Sequence, residues 1–267
     1  VCYLFRTVGT VSHPSNNALS ASTGTFTGDV AVDTDTLFAD ATNDKVGINN
    51  ASPNHELQIN GNSTTSSLSL KTSSTGNTTS DGLELKVQGD SAAYLYNYEN
   101  AMLRFGTNGL ERIRIDANGH VTMQSQTAFS VHRNSTNISN ITPGANSSIV
   151  FDNERFDQNA DYNTSNGTFT APVTGKYLLT LQLRVDQVDT GASYYIPFIE
   201  TSNEMYRDIV DPEFSSDPSF ISQHVTIIAD MDENDTATTG IVQSGGATQT
   251  DINGNPEYTY FSGVLIC

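Results

Sequence analysis

One stretch constrains the fold more than any other. Residues 177–185 read YLLTLQLRV, with Tyr177, Leu179, Leu181, Leu183 and Val185 at every second position. Thr180, Gln182, Arg184 and Asp186 are among the residues between and after them. Successive side chains of an extended backbone leave on opposite sides, so this alternation predicts a long β-strand with one face in a core. Just upstream, Ala171-Pro172-Val173-Thr174-Gly175 reads as a turn. Proline fixes φ, and glycine would accept the positive φ that closes it.

The residues before the strand carry a spaced frame of aromatics. Phe151, Asp157, Tyr162, Phe169, Gly175 and Tyr177 fit the spacing F-x5-D-x4-Y-x6-F-x5-G-x-Y. This frame resembles the globular head of the complement C1q and tumour-necrosis-factor-like families. Leu179 and Leu181 stand where the family usually has aromatics, and a leucine still fills a core position. The closing stretch, Tyr258 to Ile266, resembles the same family's terminal T-F-S-G-F-L-L segment. The resemblance implies an eight-stranded antiparallel jelly-roll sandwich that assembles as a trimer. In the last strand, Phe261 and Leu265 point one way, and Tyr260, Val264 and Ile266 the other. A sheet with one face on water should be polar on that face. The apolar second face is therefore expected to meet two sister subunits, with Tyr260, Val264 and Ile266 as the trimer interface. Residues 194–199 are also apolar on both faces, and Pro197 places them at an edge or a bulge.

Charge narrows the partners. The 267 residues carry a formal net charge of −18, which argues against nucleic acid and against anionic membranes, since both need clustered Lys and Arg. No apolar run reaches the ~18 residues of a membrane span. The chain starts VCYLFRTVGT without an initiator Met, and its apolar run is short for a signal peptide, so nothing is read about export. Cys2 and Cys267, at opposite ends, read as two free thiols rather than a disulfide framework. Asn-x-Ser/Thr triplets, as at Asn62, Asn77, Asn137 and Asn163, are expected by chance in so Asn-, Ser- and Thr-rich a chain.

The first half is built differently. Val30 with Val32, Val46 with Ile48, and Leu57 with Ile59 form short alternating runs separated by Asn-Asp, Ser-Pro and Asn-Gly punctuation. They read as short strands joined by tight turns. Two or three apolar residues per strand, at ~1.5–3 kcal/mol each when buried, hardly offset ~1–2 kcal/mol of backbone entropy per residue. Such a ribbon needs neighbours, and three intertwined copies would supply them. Val46, Gly47, Ile48, Ser52, Pro53, Leu57, Ile59 and Gly61 resemble the recurrent V-G-I-G-T-x-S-P segment of bacteriophage tail fibres and bacterial trimeric surface proteins, departing at Asn49. From Leu83 a meander follows, with Tyr94, Tyr96 and Tyr98 on one face, read as a packed β-face ahead of a sugar platform. Its later part, from Leu103 to Met123, resembles the segment preceding the C-terminal domain of phage fibres. The expected organisation is all-β: 1–22 of unclear role, 23–80 a β-shaft with a Ser/Thr-rich tract, 81–126 a meander neck, and 127–267 the C1q-like head.

No catalytic constellation is visible. His13, His55, His120, His132 and His224 lack ligand spacing, and no nucleophile elbow or phosphate loop occurs. The chain is expected not to be an enzyme. Counting jelly-roll strands up and down puts both termini at one end and three loops, 186–193, 211–219 and 245–256, at the other. These loops carry Asp186, Asp189, Asp211, Glu213, Asp217 and Asp251, either solvated acids or an oxygen-rich calcium site, which some C1q-like heads possess. No cofactor is required by this reading. Asp189, Tyr206, Phe214, Phe220 and Asn253 are the expected receptor-contacting residues. The resemblances together imply a homotrimeric phage tail fibre or receptor-binding protein. It would be located in the virion, with partners in other tail proteins and a host-surface glycan or protein. A trimeric bacterial surface adhesin, on the cell surface, and a polysaccharide-cleaving tailspike are the alternatives.

Overall fold

The structure, a computed structural model, describes residues 29–32, 36–61 and 64–267. Cys2, His13 and the expected 1–22 segment lie outside the described residues. The chain divides into two compact units, Val1–Met102 and Leu103–Cys267.

In the first unit, β1 (Val30–Val32), β2 (Leu37–Asp40), β3 (Lys45–Ile48) and β4 (Leu57–Ile59) form one sheet in chain order. The alternating valines, leucines and isoleucines find their strands, and β2 joins them although its LFAD run does not alternate. The turn after it is held by the Asp40 carboxylate, which accepts the Thr42 and Asn43 backbone N–H groups at 3.0 Å each. Tight turns do not explain the whole sheet. β3 and β4 run parallel, Val46 opposite Leu57 and Ile48 opposite Ile59. A parallel neighbour needs a connection that carries the chain back, and residues 49–56 do so around buried Pro53. Asn49 starts that return at φ 55°, a left-handed conformation that asparagine tolerates, and its amide donates to the Asn60 carbonyl at 2.9 Å. A second sheet comprises β5 (Thr65–Leu70), β6 (Leu83–Gln88) and β7 (Ala93–Asn97).

The second unit opens with β8 (Leu103–Thr107), β9 (Leu110–Ile115) and β10 (Val121–Thr122). Asn108 and Gly109, both at positive φ, close the first hairpin as the Asn-Gly signal requires. The expected neck, 81–126, is thus divided between the two units. Side-chain bonds explain why its second part belongs with the domain: Gln158 donates to the Met123 carbonyl at 2.9 Å and Gln126 to the Leu265 carbonyl at 2.8 Å.

The rest of this unit is a sandwich. One sheet orders β13 (Asn153–Asp157), β11 (Ala128–His132), β22 (Tyr260–Leu265), β16 (Gly175–Asp186) and β19 (Phe220–Met231), with β21 (Asp251–Ile252) also on β16. The other orders β14 (Tyr162–Asn163), β15 (Thr168–Thr170), β20 (Thr236–Gly245), β17 (Ala192–Thr201) and β18 (Met205–Arg207), with β12 (Asn146–Ser148) also on β20. Strand β16 is the expected long strand. Tyr177, Leu179, Leu181, Leu183 and Val185 are all fully buried between the sheets. Each such side chain contributes ~1.5–3 kcal/mol relative to exposure.

The spaced frame now has physical reasons. Phe129 and Phe169 stack across the sandwich at 4.7 Å between ring centres, and Tyr177 meets Phe169 edge-on at 5.5 Å. Phe151, Tyr162 and Phe169 are buried. The Asp157 carboxylate accepts the Asp161 and Tyr162 N–H groups, at 3.1 and 2.8 Å, folding the chain into β14. The Tyr177 hydroxyl donates to the Val173 carbonyl at 2.7 Å and pins the Pro172 turn. Gly175 does not take the positive φ expected of it. Space is the reason for glycine here: an added Cβ would lie 2.6 Å from the Cys267 carbonyl oxygen. Nor does Pro197 lie on an edge strand, since β17 sits between β20 and β18, although the alternative, a bulge, is present in the same strand between Ala192 and Tyr194. The Pro197 carbonyl accepts from Asp208 N–H at 3.2 Å, just past the end of β18, where the missing proline N–H removes only one bond of a ladder already ending.

Candidate functional site

The strand pairing defines two ends of the sandwich. Ala128, Gly175, Met231 and Leu265 lie at the end where the chain enters. Asp186, Phe220 and Asp251 lie at the other end of β16, roughly 36 Å away by strand rise. The counted topology is right in this respect: both termini of the sandwich share an end, and the three acid-bearing loops gather at the opposite one.

The loop acids bind the loops to one another. Asp217 accepts the Thr190 N–H at 2.9 Å and the Thr190 hydroxyl at 2.6 Å, and its second oxygen accepts the Gln249 amide at 3.0 Å. One carboxylate therefore joins all three loops. Asp189 accepts the Gly191 N–H at 2.7 Å and also the Ala247 N–H. Asp251, buried, accepts the Asn140 N–H at 2.7 Å and the Gln187 amide at 2.9 Å. Asp186 accepts Arg184 at 2.7 Å and Asn253 at 2.6 Å. Beneath them the buried Tyr195 hydroxyl takes the Asp189 N–H at 2.9 Å and shares a 2.8 Å bond with Thr250. Burial is the first cause, and with the charges of Asp189 and Asp217 it pushes the Tyr195 hydroxyl above its ordinary pKa. The opposing pull of the Thr250 bond is smaller.

The six loop acids, read as either solvated or a calcium site, do not come together as one carboxylate cluster. Calcium takes six to eight oxygens, yet among the described residues no three His, Cys, Asp or Glu side chains gather closely enough to hold an ion. Asp186, Asp189, Asp217 and Asp251 already have donors, whereas Asp211 and Glu213 are exposed on the 211–219 loop. The six acids are therefore not assembled as one ligand set. Cys267 is free and exposed.

The expected receptor residues divide into three groups. Phe214, on the 211–219 loop, is 47% exposed; Ile209, an apolar residue that the sequence pattern did not single out, is 61% exposed but lies down the side of the sandwich, since its neighbour Val210 pairs with Tyr195 in the middle of β17. Asp189 and Asn253 are at the far end too, but their side chains hold neighbouring loops. Tyr206 lies elsewhere. On β18 it pairs with Ile199 of β17 and lines a pocket with Asn203, Glu204, Asp230 and Asp232, toward the entry end. β17 runs down from the far end and β18 starts back from the entry end, which loop counting alone does not reveal.

Phe220 belongs to the outer face of the β16 sheet, with Arg184 stacked over its ring at 4.4 Å and over Tyr258 at 5.3 Å. That face also carries Tyr260, with Arg155 5.2 Å above its ring. Toward the entry end it becomes apolar. Phe156, Leu178 and Val264 line a shallow groove of about 340 Å³, and Ile228 stands 61% exposed on β19. Phe261 is fully buried while Val264 and Ile266 are 36% and 49% exposed, so the two-faced reading of the last strand holds.

In the first unit, Tyr94, Tyr96 and Tyr98 follow one another at 5.5 and 5.6 Å. Tyr94 and Tyr96 are nearly parallel and stack on each other, with Lys86 over both rings. The rings stack on one another, but Tyr96 and Tyr98 remain 43% and 36% exposed, so the stripe is not covered by another layer as a packed face would be.

The model of the C1q domain matches residues 128–266, more than half of the chain. The chain belongs to the C1q family. Its C1q domain resembles solved structures at low identity. The globular domain of a zebrafish complement 1qA protein is 16% identical, with a TM-score of 0.39 over 54% of this chain and 98% of that one. Murine APRIL is 12% identical, with a TM-score of 0.39 over 53% and 100%. Eiger TNF from S. frugiperda is 12% identical, with a TM-score of 0.38 over 53% and 94%. No curated protein matches the chain significantly.

Proposed function

We propose that this C1q-family chain is a homotrimeric attachment protein of a bacteriophage tail fibre. Its head touches the host cell surface non-covalently through the loops farthest from where the chain enters. One observation carries the reading: the Asp217, Asp189 and Asp251 bonds hold three loops in one arrangement at that end while Phe214, on one of them, stays exposed. A surface built this way is already ordered before it binds, so little further entropy is lost on contact. An exposed aromatic side chain rimmed by polar groups is the composition of a protein or glycan contact. The apolar outer face of the β16 sheet supplies the contact between copies. Trimers then add avidity to weak single contacts. The partners are a host-surface glycan or protein and the other tail proteins, and the location is the virion.

The reading is tested with the full chain, fluorescently labelled, on a panel of bacterial cells. Replacing Phe214 by alanine is expected to weaken binding to the recognised strain roughly tenfold or more while leaving the trimer intact. Unchanged binding by that trimeric variant would remove the apical loops from the contact, and binding to no bacterium would remove the attachment reading.

A further inference from the structure

We infer that the apolar faces of the two three-stranded sheets preceding the head, β5–β7 and β8–β10, are covered by the same faces of other copies of this chain. The inference rests on the trimeric reading above and extends it to residues outside the C1q domain.

Each sheet is two-faced. In β5–β7, Leu68, Leu85 and Leu95 stand directly opposite one another across the strands, flanked by Leu70, Leu83, Val87 and Ala93. Leu68 is 45% exposed, Leu70 58%, Leu85 54%, Val87 52% and Leu95 41%. The reverse face pairs Ser67, Lys86 and Tyr94 in one row and Ser69, Glu84 and Tyr96 in the next. The second sheet repeats the plan. Leu103, Ile115 and Val121 align on one face with Phe105 beside Ile113, and Arg104, Arg114 and Thr122 align on the other. Phe105, Ile113 and Val121 are 42%, 37% and 60% exposed. A strand face so largely apolar, with Ser66 and Asn97 the polar residues in the β5–β7 rows, is a surface built to be covered.

Two observations select a second copy as the cover. First, the β5–β7 face carries no charged side chain in a chain of net charge −18, so it packs on itself without burying a charge. An unrelated partner would gain nothing from the acidic remainder. Second, little chain separates the sheets from the head: five residues, 98–102, lie between β7 and β8, and Gln126 is bonded to Leu265 of the last head strand. Once three heads associate, three copies of each sheet are tethered at effective concentrations of the order of millimolar.

The test is hydrogen–deuterium exchange of the full chain with parallel sedimentation velocity. Leu85→Asp places a carboxylate at the centre of the apolar face. It is expected to raise exchange in 83–88 and 93–97 roughly 100-fold or more, with exchange in β16 unchanged and the chain still trimeric through its heads. Ser67→Asp puts the same charge on the opposite face of the same strand pair and is expected to leave that protection in place, as is Leu85→Met. Equal loss in Leu85→Asp and Ser67→Asp would overturn the inference, since the effect would then belong to the strands and not to the face. A trimeric wild type with unprotected β5–β7 amides would overturn it alone, leaving the trimeric head standing. A monomeric wild type would overturn the trimeric reading, and this inference with it.

Discussion

Val264→Asp tests the outer face of the C1q domain at its most informative point. Val264 lies on β22 between Ala128 and Leu178, beside Phe156 in the apolar groove. The arginines of this face, Arg155 and Arg184, are stacked on Tyr260 and on Phe220 and Tyr258. Tyr260 is four residues along β22, roughly 13 Å away by strand rise, and Lys176, two residues along β16 from Leu178, is already paired with Asp230, so a carboxylate at 264 has to compete for its counter-ion. If three copies bury this face, each new carboxylate is desolvated, and a pKa rise of about three units corresponds to about 4 kcal/mol per charge. Three related charges then cost about 12 kcal/mol per trimer, enough to turn a trimer stable at micromolar concentration into monomer. Sedimentation velocity at neutral pH is expected to show a folded monomer. The sign with pH is fixed: the carboxylate's pKa in the trimer would be raised, so its penalty holds above that value and fades as acid protonates it. Partial recovery of trimer below about pH 5 follows. Tyr260→Asp is expected to be milder, because Arg155 stands ready to pair with the new charge. A Val264→Asp chain that stays trimeric at neutral pH with an unchanged Tm would refute this interface.

Two further predictions concern the far loops. The Asp217 carboxyl is held below its ordinary value of 3.8, first by the Thr190 hydroxyl and then by the Thr190 N–H and the Gln249 amide. Its stabilisation is therefore present above that value and lost as pH falls through the lowered one. Exchange in the 187–191 and 245–250 segments should rise in that acid window, and Asp217→Asn should shift the onset; loops indifferent to both would show that Asp217 does not hold them. Calcium at 1 mM on a site of about 10 μM affinity would add about 2.7 kcal/mol. With the loop carboxylates already bonded, no such rise in Tm is expected in calorimetry with and without chelator, and a rise of several degrees would restore the calcium reading.

What could be read from the sequence was whatever a strand's period or a residue's conformational habit encodes directly. The alternation from Tyr177 to Val185 became β16 because burial on one side of an extended chain leaves no other pattern. The Asn-Gly hairpin at Asn108 became a hairpin for an equally local reason. What was not legible depends on pairing between distant segments. Nothing local states that β4 lies parallel to β3, or that the glycine at 175 is needed because the chain's last residue passes over it. The loop acids show the same limit: Asp217 reads as solvated or metal-binding until Thr190 and Gln249, remote in sequence, are found at its oxygens.

That distinction also explains why family membership and ligand are separable here. The residues of the C1q frame do structural work in the core or near the entry end: Phe151, Tyr162, Phe169 and Tyr177 fill the sandwich, Asp157 turns the chain into β14, and Gly175 admits the terminus. None of them lies in the far loops. Those loops are fixed instead by a separate set, Asp189, Thr190, Asp217, Gln249 and Asp251, whose bonds require only that the loop ends be brought together. Loop sequence can then change without disturbing the frame, and the frame can be recognised without predicting the loops. On the proposed reading the ligand is consequently a question about Phe214 and the few side chains around it, and substitution there is expected to alter binding without altering the fold.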